Sequence, residues 1–121
     1  MKTHMDLDVW KLSIELVKDI YEITKLFPKE ELFGLTSQIK RASISITSNI
    51  AEGASRQTIK EFIQFLYISL GSTSEVETQL IIAKELNFIN ENELDYLLNK
   101  IEKIKKMLNG LIKHLKDRNA K

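Results

Sequence analysis

Cysteine is absent from the chain, proline occurs once, and glycine occurs four times in 121 residues. Without cysteine, disulfide bonds and thiolate metal sites are excluded, and a reducing cytoplasm is the expected location. Because so few residues favour tight turns, the composition favours a few long helices over many short strands. No apolar run approaches the length of a membrane-spanning helix, so we expect no contact with a membrane.

Groups that bind metals or activate nucleophiles are equally scarce. His4 and His114 lie near opposite termini, outside any metal-binding spacing, so we expect both to be exposed and predict no metal and no cofactor. Several serines lie in mid-helix, and no histidine in those helices could serve as their base. We therefore predict no catalytic residue and no enzymatic activity. These serines are Ser43, Ser45, Ser48, Ser69, Ser72 and Ser74.

Close packing between helices is the better interpretation of these small residues. Serine hydroxyls inside a helix bond to carbonyls one turn earlier. Gly71 supports the same view, since glycine inside a helix costs about 1 kcal/mol relative to alanine and is usually kept for close approach.

The residues that are present suffice for one hydrophobic core. The chain is 43% hydrophobic and 29% charged, in a length typical of a single domain. We predict one domain over residues 1–121, with a basic tail from about residue 117. The formal net charge of +1 is unevenly distributed. Two acidic residues, Glu102 and Asp117, accompany the basic ones between positions 100 and 121, which are Lys100, Lys103, Lys105, Lys106, Lys113, Lys116, Arg118 and Lys121.

Periodicity and capping residues predict four helices. The first covers about 7–26, with Asp6 as its cap and Pro28 beyond its end. The second follows residues 29–31 and reaches about 54. Thr58 caps the third, which reaches about 87, and Asn90 with Glu93 forms a capping box for the fourth, which reaches about 116. Short connections make neighbours antiparallel, so the predicted fold is all-α, an up-down-up-down four-helix bundle.

The helices differ in how much of their circumference is apolar. The fourth has one stripe, at Leu94, Leu97, Leu98, Ile101, Ile104, Leu108, Leu111, Ile112 and Leu115. The second has an inner face of Leu35, Ile39, Ala42, Ile46 and Ile50, and the third is apolar over more than half its circumference, with Gly71 and its Ser-Thr-Ser neighbours as a point where it could bend. Such a surplus predicts a homo-oligomer. The residues assigned to this surplus surface or to the core are Phe33, Ile44, Ala51, Phe65 and Ile68.

Polar residues on the second and third helices are candidates for buried or intersubunit contacts. Glu77 falls within the apolar arc of the third helix, and a buried carboxylate needs a partner. Arg41 is the first choice and Lys84 the alternative. An ion pair or an oligomer contact is favoured over acid–base chemistry. The full polar set is Arg41, Ser45, Ser48, Glu52 and Glu77.

Basic side chains form the candidate nucleic-acid-binding set, which is Lys40, Arg41, Arg56, Lys60, Lys103, Lys106 and Lys113. Lys40 and Arg41 are consecutive in a helix, so both cannot belong to one face. The alternative interpretation is a solvated charged face. Repetition around a ring would turn a modest patch into a multivalent rim.

Several motifs resemble those of one known family. RASISITSNIAEG at 41–53 is followed by KEFIQFLYISLGSTSEVETQL at 60–80, with VWKL at 9–12, FPKEE at 27–31 and FGLTSQI at 33–39. Together they resemble the 23S rRNA intervening-sequence protein family over nearly the whole chain, apart from the basic tail. Thr47 departs from the pattern, since members commonly carry proline there, and the helix is expected to be straighter.

The resemblance implies a small bacterial four-helix bundle, commonly a pentameric ring, that is not an enzyme. Some members are encoded within rRNA genes. A related branch, the accessory variability proteins of diversity-generating retroelements, binds nucleic acid and a reverse transcriptase. Two functions therefore stay open: an accessory protein that binds RNA or DNA, and a scaffold that binds another protein or is only structural.

Overall fold

Four antiparallel α-helices form the fold in a computed structural model that describes residues 3–120, apart from the side chain of Asp6. No strand occurs within these residues. Each helix contacts the next, and α1 also contacts α4, which closes the bundle. The predicted all-α architecture is confirmed. The helices are α1 (Asp8–Ile23), α2 (Leu35–Ala54), α3 (Ile59–Glu85) and α4 (Glu91–Asn119).

The helix ends agree with the capping signals in the sequence. The Thr58 side chain accepts a hydrogen bond from the Glu61 amide, and Asn90 with Glu93 forms a complete capping box. At the start of α1, the cap position is Leu7, without a side-chain hydrogen bond, rather than Asp6. The side chain of Asp6 lies outside the described part.

Several boundaries differ from the predicted ones by a turn or less. Residues 24–26, predicted as the last turn of the first helix, form a 3-10 turn, and a second 3-10 turn at 29–31 precedes α2. Asn87, at φ 63°, follows the end of α3. The fourth helix continues to Asn119, so the start of the predicted basic tail is helical. Its last residue, Lys121, lies outside the described residues.

One apolar stripe from every helix builds the core. All five predicted inner positions of α2 and all nine of α4 are buried or packed against the core. Leu16, Ile46, Leu66 and Ile104 are among the side chains with no exposed surface. No helix in the described range combines the length and apolar character that crossing a membrane requires.

Small residues bring α2 and α3 into the closest contact of the bundle. The Ser69 hydroxyl donates to the carbonyl of Ile46 at 2.8 Å, and the Ser72 hydroxyl donates to Ser45 Oγ at 2.9 Å. A Cβ atom on Gly53 would lie 2.8 Å from Phe65 Cβ. The interpretation of the serines as packing residues holds for Ser45, Ser69 and Ser72, although the last two hydroxyls bond across the contact and not within their own helix. Ser43 is buried and donates to the carbonyl of Lys40 one turn earlier, whereas Ser48 and Ser74 are exposed.

Gly71 contradicts its predicted role within the single chain. A Cβ atom there would meet nothing within 4 Å, so no neighbouring helix approaches it. The third helix also remains continuous through this residue, because its backbone hydrogen bonds are unaffected by the missing side chain.

Thr47 links α2 to α1. Its hydroxyl donates to Ser13 Oγ at 2.9 Å, and Ser13 in turn donates to the carbonyl of Trp10. Ser13 is fully buried, and its hydroxyl both donates and accepts. A proline at position 47 could not make this hydrogen bond.

Candidate nucleic-acid interface and assembly surface

Basic side chains from three elements meet at one end of the bundle. Because α3 and α4 are antiparallel, the start of α3 lies beside the end of α4, and the Lys116 ammonium donates to the Tyr67 hydroxyl at 2.7 Å. Cations are also favourable in the last turn of a helix. We call this region the basic end, and its exposed residues are Arg56, Lys60, Lys113, Lys116 and Arg118.

Few acidic groups neutralise the basic end. Arg56 pairs with Glu52 at 3.2 Å, across two well-exposed side chains. None of the other four cations forms an ion pair with a described residue. Two further carboxylates, Glu61 and Asp117, lie beside Lys60 and Lys116 in the sequence, so the basic end keeps a positive net charge that is smaller than its five cations.

The seven predicted binding residues do not form one strip. Arg56, Lys60 and Lys113 belong to the basic end, whereas Lys103 and Lys106 lie farther back along α4. Both are exposed. Lys103 lines a shallow groove with residues of α1 and α4.

Lys40 and Arg41 are remote from the basic end, since they occupy the first part of α2. The Lys40 ammonium lies 4.6 Å from the ring centre of Tyr21 on α1. Arg41 is exposed, whereas Lys40 is half-buried. Consecutive residues of a helix do not share a face, so the two side chains belong to different faces.

Apolar side chains on the outer surface of the bundle match the predicted surplus. Phe33 is 93% exposed, and Ile44 and Ile68 are also exposed. Ile44 precedes Ser45 and Ile68 precedes Ser69, so both lie beside the α2–α3 contact. Ala51 and Phe65 are half-buried. We call Phe33, Ile44, Ala51, Phe65 and Ile68 the apolar face.

The predicted polar set is dispersed in the single chain. Ser45 is half-buried and accepts hydrogen bonds from Ser72 and Asn49. Arg41, Ser48 and Glu52 are exposed. Their predicted part in assembly therefore depends on contacts outside one chain.

The predicted partner of Glu77 is wrong. Both carboxylate oxygens lie 3.3 Å from the ammonium of Lys105 on α4. Position 77 lies on the edge of α3 that contacts α4, whereas Arg41 belongs to α2, on the opposite edge. The alternative, Lys84, pairs with Glu91. The carboxylate is half-buried, less so than the apolar arc suggested.

Sequence reasoning missed a second polar contact, between α1 and α4. The Lys100 ammonium donates to Asp19 at 2.6 Å and to the Tyr96 hydroxyl at 3.1 Å. Burial lowers the pKa of Lys100, but the hydrogen bonds to Asp19 and Tyr96 outweigh it and raise the pKa above its ordinary value. Asp19 and Lys100 are 81 residues apart, so no local pattern could have indicated the pair.

The two histidines lie in different surroundings. His4 is half-buried, contrary to prediction, because its ring packs edge-on against Trp10 with the centroids 5.3 Å apart. His114 is exposed. Across residues 3–120 no group of three metal-binding side chains comes together.

Comparison with known proteins gives the family. The family model of the 23S rRNA-intervening sequence protein matches residues 5–110. The chain belongs to this family. A solved structure of a protein of unknown function from the S23 ribosomal protein family of Bacteroides thetaiotaomicron VPI-5482 is 28% identical, with a TM-score of 0.80. The similarity covers 87% of this chain and 98% of that one. No curated protein matches the chain.

The residues that match the family model include all of the apolar face but only part of the basic end. The apolar face lies entirely within residues 5–110. The α3 side of the basic end lies within it too, but Lys113, Lys116 and Arg118 follow the last matched residue. The charge at the end of α4 is therefore a property of this chain that family membership alone does not supply.

Proposed function

We propose that the protein is a self-associating, non-enzymatic helical bundle that binds nucleic acid through its basic end. One observation carries the proposal: five exposed cations lie at one end of the bundle and outnumber the carboxylates of the same segments, which are Glu52, Glu61 and Asp117. Phosphate backbones attract such clusters, and each neutralised phosphate releases a counterion. The predicted residues that belong to this interface are Arg56, Lys60 and Lys113, to which Lys116 and Arg118 are added.

Self-association would multiply this interface. Phe33 is 93% exposed. Association between chains would remove the apolar surface of this large side chain from water. A closed ring, with five chains as the family resemblance implies, would repeat the basic end around its circumference. Binding at several basic ends at once would raise the affinity of weak individual contacts.

The test replaces Lys113, Lys116 and Arg118 with glutamine and measures the binding of labelled RNA and DNA by fluorescence anisotropy. We expect the affinity to fall at least about tenfold near physiological salt. A plot of the logarithm of the binding constant against the logarithm of the salt concentration should have a slope that is shallower by roughly two to three for each engaged basic end, since three phosphate contacts are lost. The solution mass from light scattering, at low and high salt, gives the number of chains.

A matched control removes the same charge at the opposite end, by replacing Lys18, Lys25 and Lys29 with glutamine. This variant should bind almost as tightly as the unaltered protein. An equal loss in both variants would mean that net charge, and not the basic end, governs binding. If the unaltered protein fails to bind either nucleic acid, the proposed function is wrong.

Binding to another protein is the second candidate. It is favoured by three exposed apolar side chains, Leu26, Leu32 and Phe33, in the connection between α1 and α2, far from the basic end. A purified monomer of 14.0 kDa that does not bind nucleic acid would favour this function, because these three apolar side chains would then be free to bind a partner.

A further inference from the structure

Tyr67 is an exposed aromatic residue within the basic end, and its hydroxyl accepts a hydrogen bond from Lys116. It is 47% exposed, and the Lys116 ammonium lies 2.7 Å from its hydroxyl and 5.2 Å from its ring centre. Because the ammonium is so much closer to the hydroxyl, it lies at the edge of the ring and does not cover a face. The hydrogen bond therefore orients the ring while leaving its flat surface available.

Gly71 keeps the surface next to this ring open. A helical side chain leans towards the N-terminus and covers the turn before it, so a side chain at position 71 would cover position 67. The glycine has none, and a Cβ there would meet no atom within 4 Å. Packing within the chain gives no reason for a glycine at this point. An unobstructed Tyr67 ring gives one.

Cations lie on both helices near the ring and outnumber the carboxylates of the same segments, Glu61 and Asp117. Lys60 precedes Tyr67 by seven residues, which is two turns of α3 or about 10 Å along the same face. On α4, Lys113 and Lys116 are separated by three residues and share a side of the helix. All three are exposed. An aromatic platform with positive charges on either side fits a base and its neighbouring phosphates.

Tyr96 provides an internal comparison. Its hydroxyl also accepts from a lysine, Lys100 at 3.1 Å, and the residue is 58% exposed. On one side it lines a groove with Asp19, Glu22 and Glu93, and on the other a groove with Glu15, Lys100 and Lys103. The two tyrosines thus have similar lysine contacts, but carboxylates are more numerous around Tyr96.

We propose that the basic end binds single-stranded nucleic acid, with one unpaired base stacked on Tyr67 and adjacent phosphates on Lys60, Lys113 and Lys116. This inference rests on the proposed function and adds the class of ligand. Aromatic side chains and a positive groove are the usual means of holding single strands. A duplex keeps its bases stacked on one another, so it gains nothing from the ring.

The experiment compares unstructured oligo(U) and oligo(dT) with a DNA duplex of equal phosphate number, by anisotropy at fixed salt. Tyr67→Leu should weaken binding of the single strands at least about fivefold and leave duplex binding unchanged. Tyr67→Phe keeps the ring and should stay within about twofold of the unaltered protein. Tyr96→Leu is the control and should have no effect on either ligand.

A second variant blocks the ring without removing it. Gly71→Leu should weaken single-strand binding as Tyr67→Leu does, while the helix content and melting temperature stay the same or rise. Both altered positions are exposed, so neither variant is expected to impair folding. A comparison of oligo(U) with oligo(dT) separates RNA from DNA as the preferred strand.

Three outcomes would overturn the inference. Equal single-strand affinity in Tyr67→Leu and the unaltered protein would mean that charge alone holds the strand, and the proposed function would survive. A change in solution mass in Tyr67→Leu would place the ring in the assembly surface instead. Failure of the unaltered protein to bind any nucleic acid would end both proposals.

Discussion

Two kinds of contact join the helices of this bundle. One lies between α2 and α3, and the other lies around α4. Between α2 and α3, hydroxyls bond directly across the contact, and no ion pair of the described residues crosses it. Around α4, lysines reach to α1 and α3 from its edges, as in Lys100 with Asp19 and Lys105 with Glu77. The first contact uses short side chains and the second uses long ones.

The difference follows from the size of the residues that face each other. Gly53, Ser69 and Ser72 let two backbones approach closely enough for a hydroxyl to reach a carbonyl or another hydroxyl on the opposite helix. Leucine and isoleucine fill the inner side of α4 and leave only its edges to polar groups. We therefore expect the α2–α3 contact to be sensitive to added volume, and the contacts of α4 to be sensitive to charge and pH.

Adding one methyl group at Gly53 should produce the largest effect. A Cβ there would lie 2.8 Å from Phe65 Cβ and 3.2 Å from the Phe62 carbonyl oxygen, and neither atom is the flexible end of a side chain. Gly53→Ala should lower the free energy of unfolding by about 2 kcal/mol, because the two helices must separate. Urea denaturation followed by circular dichroism measures it.

Gly110 on α4 is the matched control. A Cβ there would meet no atom within 4 Å, so Gly110→Ala should stabilise the protein by up to about 1 kcal/mol through helix propensity. If both alanines had the same effect, the close approach at Gly53 would have no energetic consequence.

Replacing Lys100 with methionine should have the next largest effect. Its side chain is 14% exposed, and the change leaves Asp19 without its cation, at a cost of about 1–2 kcal/mol. Since the folded state raises the pKa of Lys100, its contribution is present in full below pH 10.5, the ordinary value for lysine, and is lost as the pH rises through the higher folded pKa. The difference in free energy of unfolding between Lys100→Met and the unaltered protein should therefore become smaller at strongly alkaline pH.

Lys105→Met serves as the comparison on the other edge of α4. That side chain is 26% exposed, so water screens its pair with Glu77, and the loss should stay at or below about 1 kcal/mol. If Lys105→Met lowered the free energy of unfolding more than Lys100→Met did, the ranking of the two pairs by burial would be wrong.

Removing the Ser69 hydroxyl should also have a small effect, with Ser69→Ala lowering the free energy of unfolding by about 1 kcal/mol. The Ile46 carbonyl remains within its helix, so no buried group loses its only partner. Unlike the Lys100 effect, this loss should not change with salt or pH. Ser74→Ala, at an exposed position on the same helix, should be neutral, and a strong salt dependence in Ser69→Ala would contradict the comparison.

Local sequence signals predicted the local features well. Thr58 and the Asn90–Glu93 pair marked the starts of two helices, because a capping hydrogen bond involves residues only three apart. Periodicity also placed Ile39, Ile46 and their neighbours in the core. The partner of Glu77 was mispredicted, because a helical wheel shows which residues share an arc but not which neighbouring helix that arc faces.

Patterns within about one helical turn, and the repetition of apolar residues along each helix, sufficed to determine four helices, the caps of the last two and the buried stripes. Those quantities depend on short-range hydrogen bonds and on transfer of side chains from water. The tertiary structure alone decided that Lys116 holds Tyr67, that Lys100 meets Asp19, and that Gly53 and not Gly71 is the point of closest approach. Each of these depends on the rotation and register of one helix against another, which the packing of the whole core sets.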